Sequence, residues 1–204
     1  MLSRLWNSAV IWFWAFNGLR LVYGLLLLPL IAHLLSKADL GLYFALFNIV
    51  AVAQMLDIGM SAAIDRHVSY ASGGARELQA LGMQLPSHPD SGPNKDLLWQ
   101  LLDTTRVYYR YLSLIFLVLF GTIGTAMLAG KMGETSSPAA SWAAWIIALL
   151  SAAFEIYASW WNVFLRGMNQ VVVSGRIQFL AQSMKLVLAA LLLIAGAGLP
   201  GIFI

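Results

Sequence analysis

The sequence predicts an all-α membrane protein with several spans, and three observations carry the prediction. The chain of 204 residues is 60% hydrophobic and only 10% charged, whereas a soluble domain is about a quarter charged and just under half apolar. Five apolar runs, residues 9–35, 40–64, 109–129, 142–165 and 177–197, each reach the length of about 20 residues needed to cross hydrocarbon. In four of the five, polar residues recur at helical spacing on one face. A chain this poor in polar surface cannot cover itself in water, so its main solvent is lipid. Lipid offers the backbone no hydrogen-bond partners, which makes each run a helix.

The first run carries Phe13, Asn17, Arg20 and Gly24 on one face, and Pro29 inside it should kink the helix. The second run carries Gln54, Asp57 and Ser61. The third has no charge, and its Gly121, Gly124 and Thr125 suggest close helix packing. The fourth bears the longest polar stripe: Ser151, Glu155, Ser159, Asn162 and Arg166. The fifth bears Gln178, Gln182 and Lys185. Placing the N-terminus in the cytoplasm puts Arg4, Arg66, Arg76, Lys95, Arg106, Arg110, Arg166 and Arg176 inside and only Lys37 and Lys131 outside. That bias gives an N-inside orientation. Trp6, Trp142, Trp160 and Trp161 fall near the expected interfaces, as an aromatic belt would.

Residues 66–106 form a cytoplasmic segment containing Gly73-Gly74 and a proline-rich loop up to Pro93. Leu97, Leu98, Leu101 and Leu102 then recur at helical spacing opposite Lys95, Gln100, Asp103 and Arg106, with Asn94 as N-cap. This is either a short amphipathic helix on the inner face or an extension of the third span. No repeat of 20–50 residues is present. The end of the chain, residues 199–204, is apolar and looks like the start of a sixth span.

Charged groups within the membrane are costly and usually face a bundle interior or a wet cavity. The simplest packing turns the four stripes toward a shared, hydrated interior. Arg20, Glu155, Lys185 and Asp57 are the charged candidates, and their charges sum to zero. Arg20 and Glu155 could form a structural ion pair that fixes register with little net stability. Asn17, Asn162, Gln178 and Gln182 serve helix–helix contacts more often than cargo. The net charge of +3 is too small to read as a nucleic-acid footprint. Cysteine is absent, which excludes disulfides and thiolate metal sites. His33, His67 and His88 fall on two sides of the membrane and cannot share a metal. Hydrolase, zinc-protease and nucleotide-binding motifs are missing, so neither enzymatic activity nor a cofactor is expected.

The stretch LPLIAHLLSKADLGLY at residues 28–43 resembles the first extracytoplasmic turn of polysaccharide-export flippases. These O-antigen and lipid-linked oligosaccharide carriers belong to the multidrug/oligosaccharidyl-lipid/polysaccharide exporter superfamily. His33 stands where that family often has Arg, and Leu40 where it often has Phe or Tyr. MLDIGM at 55–60 is similar to the family's end of helix two, and VFLRGMNQ at 163–170 to its turn after helix four, with Gln170 replacing Arg. The resemblance covers most of the chain except residues 80–93, which look like an insertion.

The resemblance implies the N-terminal lobe of a two-lobe bundle of twelve to fourteen helices, with the remainder of the sixth helix and the C-terminal lobe lying beyond this chain. It implies flipping of an undecaprenyl-pyrophosphate-linked oligosaccharide across the bacterial cytoplasmic membrane by alternating access. Arg20, Lys185, Asn17, Asn162 and Gln182 would then be the substrate-binding candidates, with Glu155 and Asp57 as groups for a coupling proton or sodium ion. Expected partners are the lipid-linked substrate, membrane lipid and other polysaccharide-assembly proteins. Alternatives are a drug or other lipid exporter of the same superfamily, or a non-transporting membrane scaffold of polysaccharide assembly.

Overall fold

A computed structural model describes residues 8–57, 59–78 and 92–203. Arg4, Trp6, His88 and most of the expected insertion lie outside the described residues, and so does the side chain of Gln54. Among the described residues seven α-helices follow one another: α1 (Ala9–Leu34), α2 (Lys37–Met55), α3 (Met60–Ser72), α4 (Lys95–Leu119), α5 (Thr125–Met132), α6 (Pro138–Gly167) and α7 (Val171–Ile194). A single π-helical turn, Phe120–Gly124, joins α4 to α5, and a 3-10 turn, Leu199–Ile202, follows α7.

Four stretches are long and apolar enough to cross a membrane: Ala9–Leu34, Lys95–Met132, Pro138–Gly167 and Val171–Ile194. The protein is therefore an all-helical membrane protein with four such helices among the described residues, where the sequence suggested five. The second expected span, 40–64, is broken. Gly59 adopts the left-handed backbone (φ 90°), which L-residues with a Cβ avoid, and the helix restarts as α3. The remaining α2 has 19 residues and includes Lys37, Asp39 and Asn48. Of the two readings of residues 94–106, the structure takes the extension. Asn94 caps α4, its Oδ1 accepting from the Leu97 amide at 3.2 Å, and the helix runs unbroken into the third span. Pro29 sits inside α1, which stays helical to Leu34.

The longest helix, α6, is the centre of the bundle, with α2, α3, α4, α7 and the 3-10 turn all against it. Ser137 caps it by accepting from the Ala140 amide at 3.4 Å, and Pro138 opens its first turn, where a missing N–H costs nothing. Gly167 closes it. A Cβ there would stand 2.6 Å from the Val68 Cβ and 2.9 Å from the Asp65 carbonyl, so only glycine lets α3 lie this close to α6. By contrast, α1 packs chiefly on α7 and touches α2 little. The two helices diverge from the turn that joins them.

The two ends of the bundle differ. Asp39, at the start of α2, accepts from the Ser136 amide before α6 at 3.3 Å and from the Ser136 hydroxyl at 2.5 Å. At the other end, Asp57 meets Tyr109 of α4 and Asp65 meets Arg166 at the close of α6. That end also carries Arg66, Lys95, Arg106 and Arg176, and it is called the basic end below. One apolar cluster, around Leu27, Ile31, Leu46, Met132 and Trp145, fills the opposite end. A second, around Val68, Tyr109, Phe116, Ala153 and Val163, fills the basic end.

Lipid tails are as apolar as leucine, so packing and interhelical hydrogen bonds hold such a bundle together. The Ser113 hydroxyl donates to the Ala153 carbonyl at 2.7 Å across α4 and α6. Trp145 Nε1 donates to Thr125 Oγ1 at 2.9 Å, tying α6 to α5. The outer surface is apolar: Leu21, Leu25, Val118, Met127, Phe154, Met184 and Ile194 are 67–75% exposed. In water this would be a liability, whereas in hydrocarbon it is the required surface.

Candidate functional site

The divergence of α1 from α2 leaves a cavity of about 350 Å³ beside the middle of α6. Four helices and the 3-10 turn line it. From α1 come Arg20, Tyr23, Gly24 and Leu27, which share one face because they follow the i, i+3, i+4, i+7 rule. Tyr43, Phe44 and Phe47 come from α2, and Ser151 and Glu155, one turn apart, from α6. Gln182 and Lys185, also one turn apart, come from α7, and Ile202 and Phe203 close the set.

The lining is graded along the bundle. Arg20, Ser151, Glu155, Gln182 and Lys185 make a charged half. Tyr23, Tyr43, Phe44, Phe47 and Phe203 make an aromatic half nearer the end opposite the basic one. Tyr43 is the hub of the aromatic half, with ring centroids 5.3 Å from Phe44, 6.0 Å from Phe47 and 5.9 Å from Phe203. Glu155 and Lys185 form an ion pair across α6 and α7, with side chains 41% and 43% exposed respectively. The structure thus gives Glu155 a partner, Lys185, that the sequence reading did not name. Such a pair stays partly open to the cavity, so a small polar molecule can reach either member.

The other expected site residues sit elsewhere. Asn17 is absent from the cavity lining, and its amide donates to the Phe13 carbonyl of its own helix at 2.8 Å. Asn162 is also absent from the lining; its Oδ1 accepts from Gln178 Nε2 at 2.8 Å and from the Ser174 hydroxyl. These contacts join α6 to α7 near their short connection, so Asn162 and Gln178 hold helices together.

Asp57 belongs to a third place, the break between α2 and α3. The Tyr109 hydroxyl donates to its Oδ2 at 2.6 Å. Asp65 and Arg166 form a neighbouring ion pair at 3.1 Å. Burial raises the Asp57 carboxyl above its ordinary range, although the Tyr109 hydrogen bond and the Arg166 charge pull the other way. Asp65 is raised for the same first reason, opposed by Arg166 and reinforced by the charge of Asp57. At the opposite end Asp39 behaves differently. Burial works against its charge, but hydrogen bonds from Ser136 and Ser36 outweigh it and hold the carboxyl below its ordinary range.

Three features were missed by the sequence reading. The aromatic half of the cavity was invisible because aromatic residues inside an apolar run show no polar contrast. The Asp39–Ser136 contact and the Asp65–Arg166 pair join residues far apart in the chain. One signal for the Glu155–Lys185 pair was present. Both residues lie at similar distances from the short turn at Asn169, 14 residues before it and 16 after, so an antiparallel hairpin brings them level.

Comparison of the chain with protein-family models, with characterised proteins and with solved structures finds no match. The fold and the cavity themselves define the class: an all-helical, multi-span membrane protein with charged side chains gathered around a cavity among its spans.

Proposed function

We propose that the chain helps to carry the polar head of a lipid-linked, anionic oligosaccharide across a bacterial cytoplasmic membrane by alternating access. The observation behind this reading is the convergence of Arg20, Glu155, Gln182 and Lys185 on one cavity among helices of hydrocarbon-spanning length. A sugar–pyrophosphate head cannot enter hydrocarbon without replacement for its water. Cations and amide donors facing a cavity supply such replacement, while the lipid tail stays in the bilayer beside the protein. The motif resemblance at residues 28–43, 55–60 and 163–170 supports the same substrate class.

In this reading Arg20, Lys185 and Gln182 receive the pyrophosphate. Asn17 and Asn162 have no assigned contact with it, since each is engaged away from the cavity. Asp57 and Glu155 are the carboxylates available to a coupling proton or sodium ion. Opening and closing would proceed by rocking of this lobe against a second one, as in other two-lobe transporters.

The test is lipid translocation in membrane vesicles containing the protein. A fluorescent short-chain polyprenyl-pyrophosphate disaccharide is added to one face, and its arrival at the other is read with a membrane-impermeant quencher. Arg20→Gln and Lys185→Gln should each lower the rate at least tenfold at equal expression. Rates unchanged by both substitutions would rule out the cavity as the path.

A further inference from the structure

Resting on the transport reading above, we infer that Glu155 is a resident counter-anion: it occupies Lys185 while the cavity is empty and is displaced when an anionic headgroup arrives. Three observations lead there. First, Glu155 and Lys185 are paired with each other although both line the cavity. Second, each side chain remains about two-fifths exposed (41% and 43%), so the pair is reachable and not sealed in the core. Third, Ser159, one turn from Glu155 along α6, gives its hydroxyl to the Glu155 backbone carbonyl at 2.8 Å and so does not occupy the carboxylate.

The chemistry is an exchange of partners. Lysine is a compact cation on a flexible stem with three rotatable donors. It can turn from a carboxylate to a phosphate oxygen by small rotations, and no covalent bond is made or broken. An empty cavity then never presents an unpaired ammonium to the membrane interior, where it would be costly. A filled cavity sets a negative group against Glu155, which raises the free energy of its charged form and favours proton uptake or withdrawal into water. Arg20 and Gln182 line the same half of the cavity and receive the rest of the headgroup.

This differs from a purely structural ion pair in the sign of one effect. If Glu155 competes with cargo for Lys185, removing its charge strengthens anion binding. A partly exposed pair is worth about 1 kcal/mol, a factor of about five in affinity.

The experiment is calorimetric titration of the detergent-solubilised protein with inorganic pyrophosphate. The unaltered protein is compared with Glu155→Gln, Lys185→Gln and the double substitution, each checked by circular dichroism for retained helix. The inference expects Glu155→Gln to bind pyrophosphate about fivefold more tightly, and Lys185→Gln to bind it more weakly. In the double substitution the gain should vanish. Glu155→Gln binding that is unchanged or weaker, with the unaltered protein still binding, overturns the counter-anion role and leaves the anion-carrier reading standing. Failure of both the unaltered protein and Glu155→Gln to bind pyrophosphate overturns both. If Glu155→Gln loses its helix, Glu155→Asp is read instead: a carboxylate withdrawn by one methylene should still raise affinity, and an unchanged or lowered affinity counts against the inference.

Discussion

The same substitution, glycine to alanine, should have opposite effects at two helical positions, and the difference can be worked out from local space. At Gly24 no atom lies within 4 Å of a new Cβ. Alanine there meets nothing and gains helix propensity, about 0.8–1 kcal/mol in a helix interior. At Gly167 the new Cβ would stand 2.6 Å from Val68 Cβ, 2.7 Å from Val68 Cγ1 and 2.9 Å from the Asp65 carbonyl oxygen.

None of those atoms yields easily. The valine is β-branched and stiff at χ1, and the carbonyl belongs to the α3 backbone. Overpacking of this kind costs about 1–3 kcal/mol. Gly167 is the last residue of α6, where little of the interior propensity gain applies, so Gly167→Ala should lose roughly 1–2 kcal/mol. At about 2–4 °C per kcal/mol for a chain of this size, its melting temperature falls by roughly 4 °C while that of Gly24→Ala stays level or rises. The assay is thermal unfolding in one detergent, followed by intrinsic tryptophan fluorescence. Equal melting temperatures for the two variants would refute the close docking of α3 on α6.

Two further predictions concern the cavity and the ends of the bundle. Gly24→Phe should fold normally, because the position is open, yet it should cut lipid translocation several-fold by filling part of the cavity it lines; normal rates with normal stability would count against the path. Asp39→Asn should lower stability at neutral pH and Asp57→Asn should not. The Asp39 carboxyl is depressed on folding, so its contribution is present above its ordinary value near 3.9 and lost as pH falls through the folded value. The Asp57 carboxyl is raised on folding, so its charged form opposes folding above that raised value, and the opposition is relieved as pH falls through it. Melting temperatures between pH 4 and 8, measured against the unaltered protein, separate the two; a loss at neutral pH for Asp57→Asn equal to that for Asp39→Asn would contradict this assignment.

Four spanning helices were legible in the sequence because a long apolar run has few other fates. The break in the second run was not. It depends on the left-handed backbone at Gly59, and hydropathy is blind to backbone dihedrals. Arg20, Glu155, Gln182 and Lys185 were legible as stripe residues, and helical spacing put each on a definite face. Spacing could not distinguish a face that lines a cavity from one that meets a neighbouring helix. Asn162 and Gln178 follow the same period as Glu155 and Gln182, yet they sit close to the α6–α7 turn, where the helices are too near to leave room. Charge counting also could not show that Lys185 pairs with Glu155. That pair follows from connectivity, since α6 and α7 are joined by three residues, Met168 to Gln170.

The account depends most on water reaching the charged half of the cavity, and cysteine accessibility measures this directly. The chain contains no cysteine, so single substitutions need no altered background. Ser151→Cys and Gln182→Cys place a thiol in the cavity lining, whereas Phe154→Cys and Met184→Cys place one on the apolar surface nearby. A charged, membrane-impermeant methanethiosulfonate reagent should label the first two and spare the second two in intact membranes. Labelling of Phe154→Cys and Met184→Cys, with Ser151→Cys and Gln182→Cys protected, would mean that these helices turn the other way and that no wet cavity exists.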